Sequence, residues 1–149
     1  MKEVIILSRE QFIDKVLPKV DKAKDTFFIS ILEPDDEIEN LHEDTENFKT
    51  WKFDDLDRDV EDYHAITFYQ AKEIFEFIKK NEGKNLILHC WAGVSRSGAV
   101  GEFYWEMLGG SYGELKDKFP NIMPNPRVLH YLRVAEKSAQ KSELDRLFI

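Results

Sequence analysis

The sequence predicts an α/β fold, with a mainly parallel central sheet of about four to five strands flanked by helices. Two observations carry that expectation. Short runs of strand length and composition alternate with helical patterns of about 10–15 residues, the rhythm of β-α-β units. No internal repeat and no Gly-, Pro- or Ser-rich linker interrupts the chain, so residues 1–149 are expected to form a single domain.

Residues 4–7 (Val-Ile-Ile-Leu) are the first strand-length apolar run. Ser8-Arg9-Glu10-Gln11 has the form of a capping box, which predicts a helix running to Pro18 or shortly beyond. Residues 26–32 (Thr-Phe-Phe-Ile-Ser-Ile-Leu) are β-branched and aromatic, the composition of a buried strand. Residues 33–47 then change character, because eight of the fifteen are Asp or Glu. With no glycine for the sharp bend of a hard-cation loop, they read as a solvated loop and not as a metal site. Residues 48–53 read as a third strand with Trp51 and Phe53 on one face, followed by an acidic stretch over 54–62. Thr67-Phe68-Tyr69-Gln70 is a second capping box. Ala71, Ile74, Phe75 and Ile78 follow it at i, i+3, i+4 and i+7, one face of a helix ending near Gly83. Residues 85–89 form a short buried strand. A tight glycine-containing loop then leads into a helix with Val100, Phe103, Tyr104, Met107 and Leu108 on its apolar face, stopped by Gly109-Gly110. Helical stretches over 111–118 and 126–139, separated by Pro120, Pro124 and Pro126, complete the chain.

Composition narrows the function classes. Asp and Glu outnumber Lys and Arg by 29 to 21, a formal net charge of −8. A nucleic-acid partner favours the opposite field, so none is expected. No apolar run approaches the roughly 18–20 residues that cross a bilayer, and Met1-Lys2-Glu3 with the apolar run after it reads as too short and too acidic for a signal peptide. No membrane association is therefore expected. Cys90 is the only cysteine. It excludes an intramolecular disulfide and fits a reducing, cytoplasmic setting. Nothing calls for a cofactor or a metal, and a monomer is expected.

The chemistry concentrates in residues 89–98, His-Cys-Trp-Ala-Gly-Val-Ser-Arg-Ser-Gly. A strand stops, a short loop turns and a helix begins. This gathers the backbone N–H groups of Trp91, Ala92, Gly93, Val94, Ser95 and Arg96 at the positive end of a helix dipole, an anion site by construction. Arg96 adds a planar fork able to hold two phosphate oxygens at once. A free thiol ionises near pH 8.5, and cations with helix termini lower this to about 3.5–7.5. Both influences fall on Cys90. A thiolate beneath a bound phosphate can attack phosphorus in line.

His-Cys-x5-Arg-Ser between strand and helix resembles the signature of the cysteine-based protein tyrosine phosphatases. The form His-Cys-x-x-Gly-x-Ser-Arg-Ser is most similar to their small dual-specificity branch. The resemblance runs from about residue 48 to 137. It implies the protein tyrosine phosphatase fold, Cys90 as nucleophile, Arg96 as phosphate clamp, and Ser97 as hydrogen-bond donor to the thiolate. It further implies that His89 orients the loop from behind and that Asn125 of Pro124-Asn125 lies beside it. The family's general acid is an Asp after a strand upstream of the cysteine. Asp54, Asp55, Asp57 and Asp59 all lie in that window. Asp55 continues the strand face of Trp51 and Phe53, which favours it, with Asp54 as the first alternative.

The expected function is hydrolysis of phosphotyrosine, with phosphoserine and phosphothreonine as further candidates, on protein substrates through a phosphocysteine intermediate. Members of the resembled family that act on polyphosphorylated inositols carry lysines inside this loop, so by that resemblance the uncharged Trp91, Ala92 and Val94 argue against such substrates. The rival reading is a catalytically weak pseudophosphatase or adaptor that binds phosphate without turnover.

Overall fold

The computed structural model describes residues 2–36 and 40–148. Four strands, β1 (Val4–Ser8), β2 (Thr26–Leu32), β3 (Phe48–Lys52) and β4 (Asn85–Cys90), form a sheet in the order β1-β4-β2-β3. Every pairing is parallel. All four carboxyl ends therefore open on one rim, where ligands of such sheets bind. The central strand β2 is buried at all seven positions, as expected of a parallel strand covered on both faces.

Strand parity sorts the core into two clusters. Phe27, Ile29, Ile31, Leu86, Leu88 and Cys90 face the larger cluster, shared with α2 (Phe68–Lys80), α3 (Arg96–Met107) and α5 (Pro126–Arg146). Phe28 and Phe48 face the smaller one, closed by Phe12 and Val20 of the segment after β1. His89 lies on this second face, with Phe12 packed on its ring at 4.5 Å.

Both predicted capping boxes form, Ser8 with Gln11 and Thr67 with Gln70. A third, Ser111 with Glu114, opens α4 (Tyr112–Lys118). Three expectations need correction. The helix after β1 is not one α-helix ending at Pro18. It is an α-turn, α1 (Arg9–Gln11), then a π-turn (Phe12–Val16) and a 3-10 helix (Leu17–Lys22). Pro18 sits in the first turn of that last piece, where a missing N–H costs nothing. The last helix runs to Arg146 rather than 139. Its final turns are exposed and rich in Gln, Lys and Glu, good helix formers with no apolar face for periodicity to detect. The acidic 33–47 stretch is not uniformly solvated: Glu33 and Asp36 are drawn into ion pairs at the rim, while residues 37–39 lie outside the described residues.

Candidate active site

Cys90 ends β4 on the core face and is 2% exposed. The loop after it is shaped by what its carbonyls do. Those of Trp91, Val94 and Ser95 accept hydrogen bonds from the N–H groups of Arg9, Met123 and Asn125 at 3.0–3.1 Å. In a trans peptide the carbonyl and the next N–H point oppositely, so this outward anchoring turns the N–H groups of Ala92, Ser95 and Arg96 inward. Among the described residues, no N–H from Trp91 to Ser95 donates to a backbone carbonyl. Gly93 makes the curl possible. Its φ is +73°, and a Cβ there would lie 2.6–2.8 Å from backbone atoms of Leu7 and Ser8. The result is a concave turn at the N-terminus of α3 whose N–H groups are not taken by backbone carbonyls among the described residues.

Cys90 Sγ lies 3.0 Å from Ser97 Oγ. Burial alone would push the thiol's pKa up. Hydrogen bonds from the Ser97 hydroxyl and N–H and from the Val94 N–H, with the Arg96 charge, outweigh it and hold the thiol below its ordinary value. Behind the loop, His89 Nδ1 donates to the Cys90 carbonyl at 3.1 Å. Its other nitrogen, Nε2, then accepts from the Ser30 hydroxyl at 2.6 Å. Burial is the main cause that lowers the His89 pKa to about 4, and the charges of Arg9 and Arg96 add to it. The ring is therefore a neutral strut with a fixed tautomer at neutral pH.

Arg96 is 4% exposed. One terminal nitrogen donates to the Phe53 carbonyl at 2.8 Å and the other to Glu33 Oε1 at 2.5 Å. Its Nε is buried with no partner among the described residues. A buried guanidinium nitrogen without an acceptor is costly, and an anion oxygen in the turn would satisfy it.

Of the candidate carboxylates, Asp55 is the one that reaches this loop. Its Oδ1 accepts from Ser95 Oγ at 2.7 Å and from Asn125 Nδ2 at 2.8 Å. Asn125 is buried and caps α5: its Oδ1 accepts the N–H groups of Arg127 and Val128, and its amide also donates to the Leu56 carbonyl. One side chain thus ties the 55–56 turn to the helix. Asp54 turns the other way and accepts the His64 N–H at 2.7 Å. Asp57 pairs with Arg58, and Asp59 with Arg127, both at exposed positions.

Glu33, Phe53 (through its carbonyl) and Ser30 are site residues that sequence reasoning missed. Glu33 did carry a signal, since it directly follows the last residue of β2, at the same rim as Cys90. No group of three or more His, Cys, Asp or Glu side chains suited to a metal ion occurs among the described residues, and no described helix is long and apolar enough to cross a membrane.

No family model matches the chain, and no curated protein matches it. Solved structures do. The human tyrosine phosphatase-like serine/threonine/tyrosine-interacting protein aligns with a TM-score of 0.59 at 19% identity, over 92% of this chain and 93% of its own. DUSP15 gives 0.59 at 20% identity, over 95% and 88%. Human DUSP28 gives 0.55 at 15% identity, over 93% and 94%. Likeness at this level of identity is one of fold, and the fold is that of the dual-specificity phosphatases.

Proposed function

We propose that this chain, built on the dual-specificity phosphatase fold, is a cysteine-dependent phosphomonoester hydrolase acting on phosphotyrosine proteins, with phosphoserine and phosphothreonine as further substrates. The observation that carries the reading is the buried Arg96 Nε without a partner among the described residues, at the end of a loop whose N–H groups meet no backbone carbonyl and which follows a thiol of lowered pKa. That combination suits a dianionic phosphate above a thiolate.

The chemistry follows from the geometry. The loop amides and Arg96 bind the phosphate oxygens, and the Cys90 thiolate attacks phosphorus, forming an S–P bond as the P–O bond breaks. The departing oxygen takes the proton of Asp55. Because Asp55 Oδ1 accepts from Ser95 and Asn125, Oδ2 is the oxygen left to carry that proton. In the second step the Asp55 carboxylate takes a proton from water as the water attacks phosphorus. The S–P bond breaks, and the Ser97 hydroxyl donates to the returning thiolate. Glu33 and the Phe53 carbonyl hold the guanidinium plane and expose Nε.

The test is turnover of nitrophenyl phosphate and of a phosphotyrosine peptide, inhibited by vanadate. Cys90→Ser should abolish turnover and keep peptide affinity, since the amides and Arg96 remain. Turnover of the variant within about tenfold of wild type would remove Cys90 from the nucleophile role. Tight phosphopeptide binding by a wild type without turnover would favour the adaptor reading, under which the phosphatase-like protein among the fold neighbours is the better guide.

A further inference from the structure

Ser8 and Cys90 are register partners at the carboxyl ends of adjacent parallel strands. The segments that leave these two strands therefore emerge at the same rim, about one strand spacing of ~4.8 Å apart. After Cys90 comes Trp91, and after Ser8 comes the first helical turn. The Arg9 N–H donates to the Trp91 carbonyl at 3.1 Å, and the Arg9 guanidinium carbon lies 5.4 Å from the indole centre. Beside this contact opens a hollow of about 470 Å³ lined by Ser8, Arg9, Glu10, Ile13, Asp14 and Trp91. Trp91 is 61% exposed there, a large apolar ring left in solvent one residue from the candidate nucleophile.

The lining has a definite charge. Arg9 is offset by Asp36, 2.9 Å away, and both side chains are largely buried. Glu10 and Asp14 are exposed and take part in no ion pair among the described residues. The hollow thus combines two carboxylates outside any ion pair among the described residues, an indole that carries Arg9 over one face and is otherwise exposed, and the aliphatic Ile13. That set fits a long cationic side chain: the carboxylates meet its charge, the indole adds cation–π attraction, and Ile13 and Trp91 cover its methylene stem. An acidic side chain would be repelled, and an apolar one would strip water from the carboxylates without compensation.

We propose that this hollow is a subsite for a lysine or arginine flanking the phosphorylated residue, so that the substrates are phosphoproteins with a basic neighbour to the phosphosite. The proposal rests on the phosphatase reading of the Cys90 loop. A residue two or three positions along an extended peptide lies ~7–10 Å from the phosphorylated one, the scale of this rim. The net charge of −8 draws the same class of partner from a distance.

The experiment uses phosphotyrosine peptides that differ only by Arg, Ala, Leu or Glu at each of the three positions on either side of the phosphotyrosine. Affinity is measured on the Cys90→Ser protein and kcat/KM on the wild type. At one position the Arg peptide should bind about fivefold to tenfold more tightly than Ala, with Glu weaker than Ala. The double variant Glu10→Gln, Asp14→Asn should erase that preference and leave nitrophenyl phosphate turnover unchanged. Arg and Ala peptides within about twofold at every position, a preference for Leu over Arg, or a preference that survives the double variant would each overturn the subsite. Affinity does not need turnover, so a wild type that hydrolyses no aryl phosphate sinks the phosphatase reading while the Arg-over-Ala comparison still decides the subsite.

Discussion

Asp54 and Asp55 are chemically identical neighbours just beyond the end of β3, and their partners separate them. Asp55 meets Ser95 and Asn125 through Oδ1, whereas Asp54 caps the turn at His64. Asp55→Asn is a clean substitution here, because an amide oxygen at Oδ1 still accepts both donors and only the transferable proton is lost. If Asp55 protonates the leaving group, the loss should grow with leaving-group basicity. It should be modest for nitrophenyl phosphate and about 10²–10⁴-fold for phosphotyrosine, whose phenol has a pKa near 10. The basic limb of the pH–rate profile should vanish in the variant. Asp54→Asn keeps an acceptor for His64 and should show neither effect. A leaving-group dependence appearing in Asp54→Asn and absent from Asp55→Asn would swap the two roles. The sequence favoured Asp55 because it shares the parity of Trp51 and Phe53, which face the larger cluster. The partners of Asp55 were not readable there, since Ser95 and Asn125 come from chain segments 40 and 70 residues away. Glu33 illustrates the same limit. Its distance of 63 residues from Arg96 closes only once β2 lies beside β4, and the strand order is a property of the sheet, not of either segment.

Among the elements, those with strong local signals matched expectation. The boxes at Ser8 and Thr67 and the glycine stop after α3 are set by hydrogen bonds within a few residues, and the strand runs announced themselves by local composition although their partners lie far along the chain. The segment after β1 departed from expectation because its form answers to a tertiary demand: Phe12 must reach over β2 and β4 to cover His89, Phe28 and Phe48. The 90–96 loop is the element on which the site depends, and Gly93 is where it is most exposed to perturbation. Gly93→Ala adds a Cβ at φ +73°, and that atom would meet β1 backbone, which cannot swing aside as a side chain can. The loop must then move off β1, dispersing the inward N–H groups. Expected are a fall in vanadate affinity and in kcat/KM of about tenfold or more, with a stability loss of about 1–3 kcal/mol from the strained backbone. Unchanged vanadate affinity in a folded Gly93→Ala protein would show that the donors do not depend on this contact. Gly109 also has positive φ but has nothing within 4 Å of its Cβ position. Gly109→Ala should therefore cost stability without touching activity.

At the scale of the whole molecule, the larger hydrophobic cluster holds Cys90 itself, and the smaller one meets the site through His89. It belongs to the sheet face of Phe12, Phe28 and Phe48, yet it braces the carbonyl of Cys90, which faces the other cluster. Protonating it would place a cation between Phe12 and the sheet and break the acceptance from Ser30, so its charge state is coupled to folding of the entire chain. The folded imidazole resists protonation until about pH 4, whereas an unfolded one takes its proton near 6.5. Between those values the unfolded chain binds more protons, so acidification favours unfolding. The contribution is complete above pH 6.5 and lost as pH falls to about 4. At about 1.4 kcal/mol per unit, it amounts to about 3 kcal/mol over the window. Urea unfolding from pH 7 down to 4.5 should show this decline in the wild type. His89→Gln keeps an oxygen to accept from Ser30 and cannot take a proton in this range. It should start less stable at pH 7, having lost the bond to the Cys90 carbonyl, and then decline more gently, so that the two curves converge. Carboxylates titrate at the lower end of the window in both proteins and cancel in the comparison. Parallel curves would mean that His89 is solvated enough to titrate alike in both states, and the strut behind the thiolate would have to be assigned to Ser30 and the β4 backbone instead.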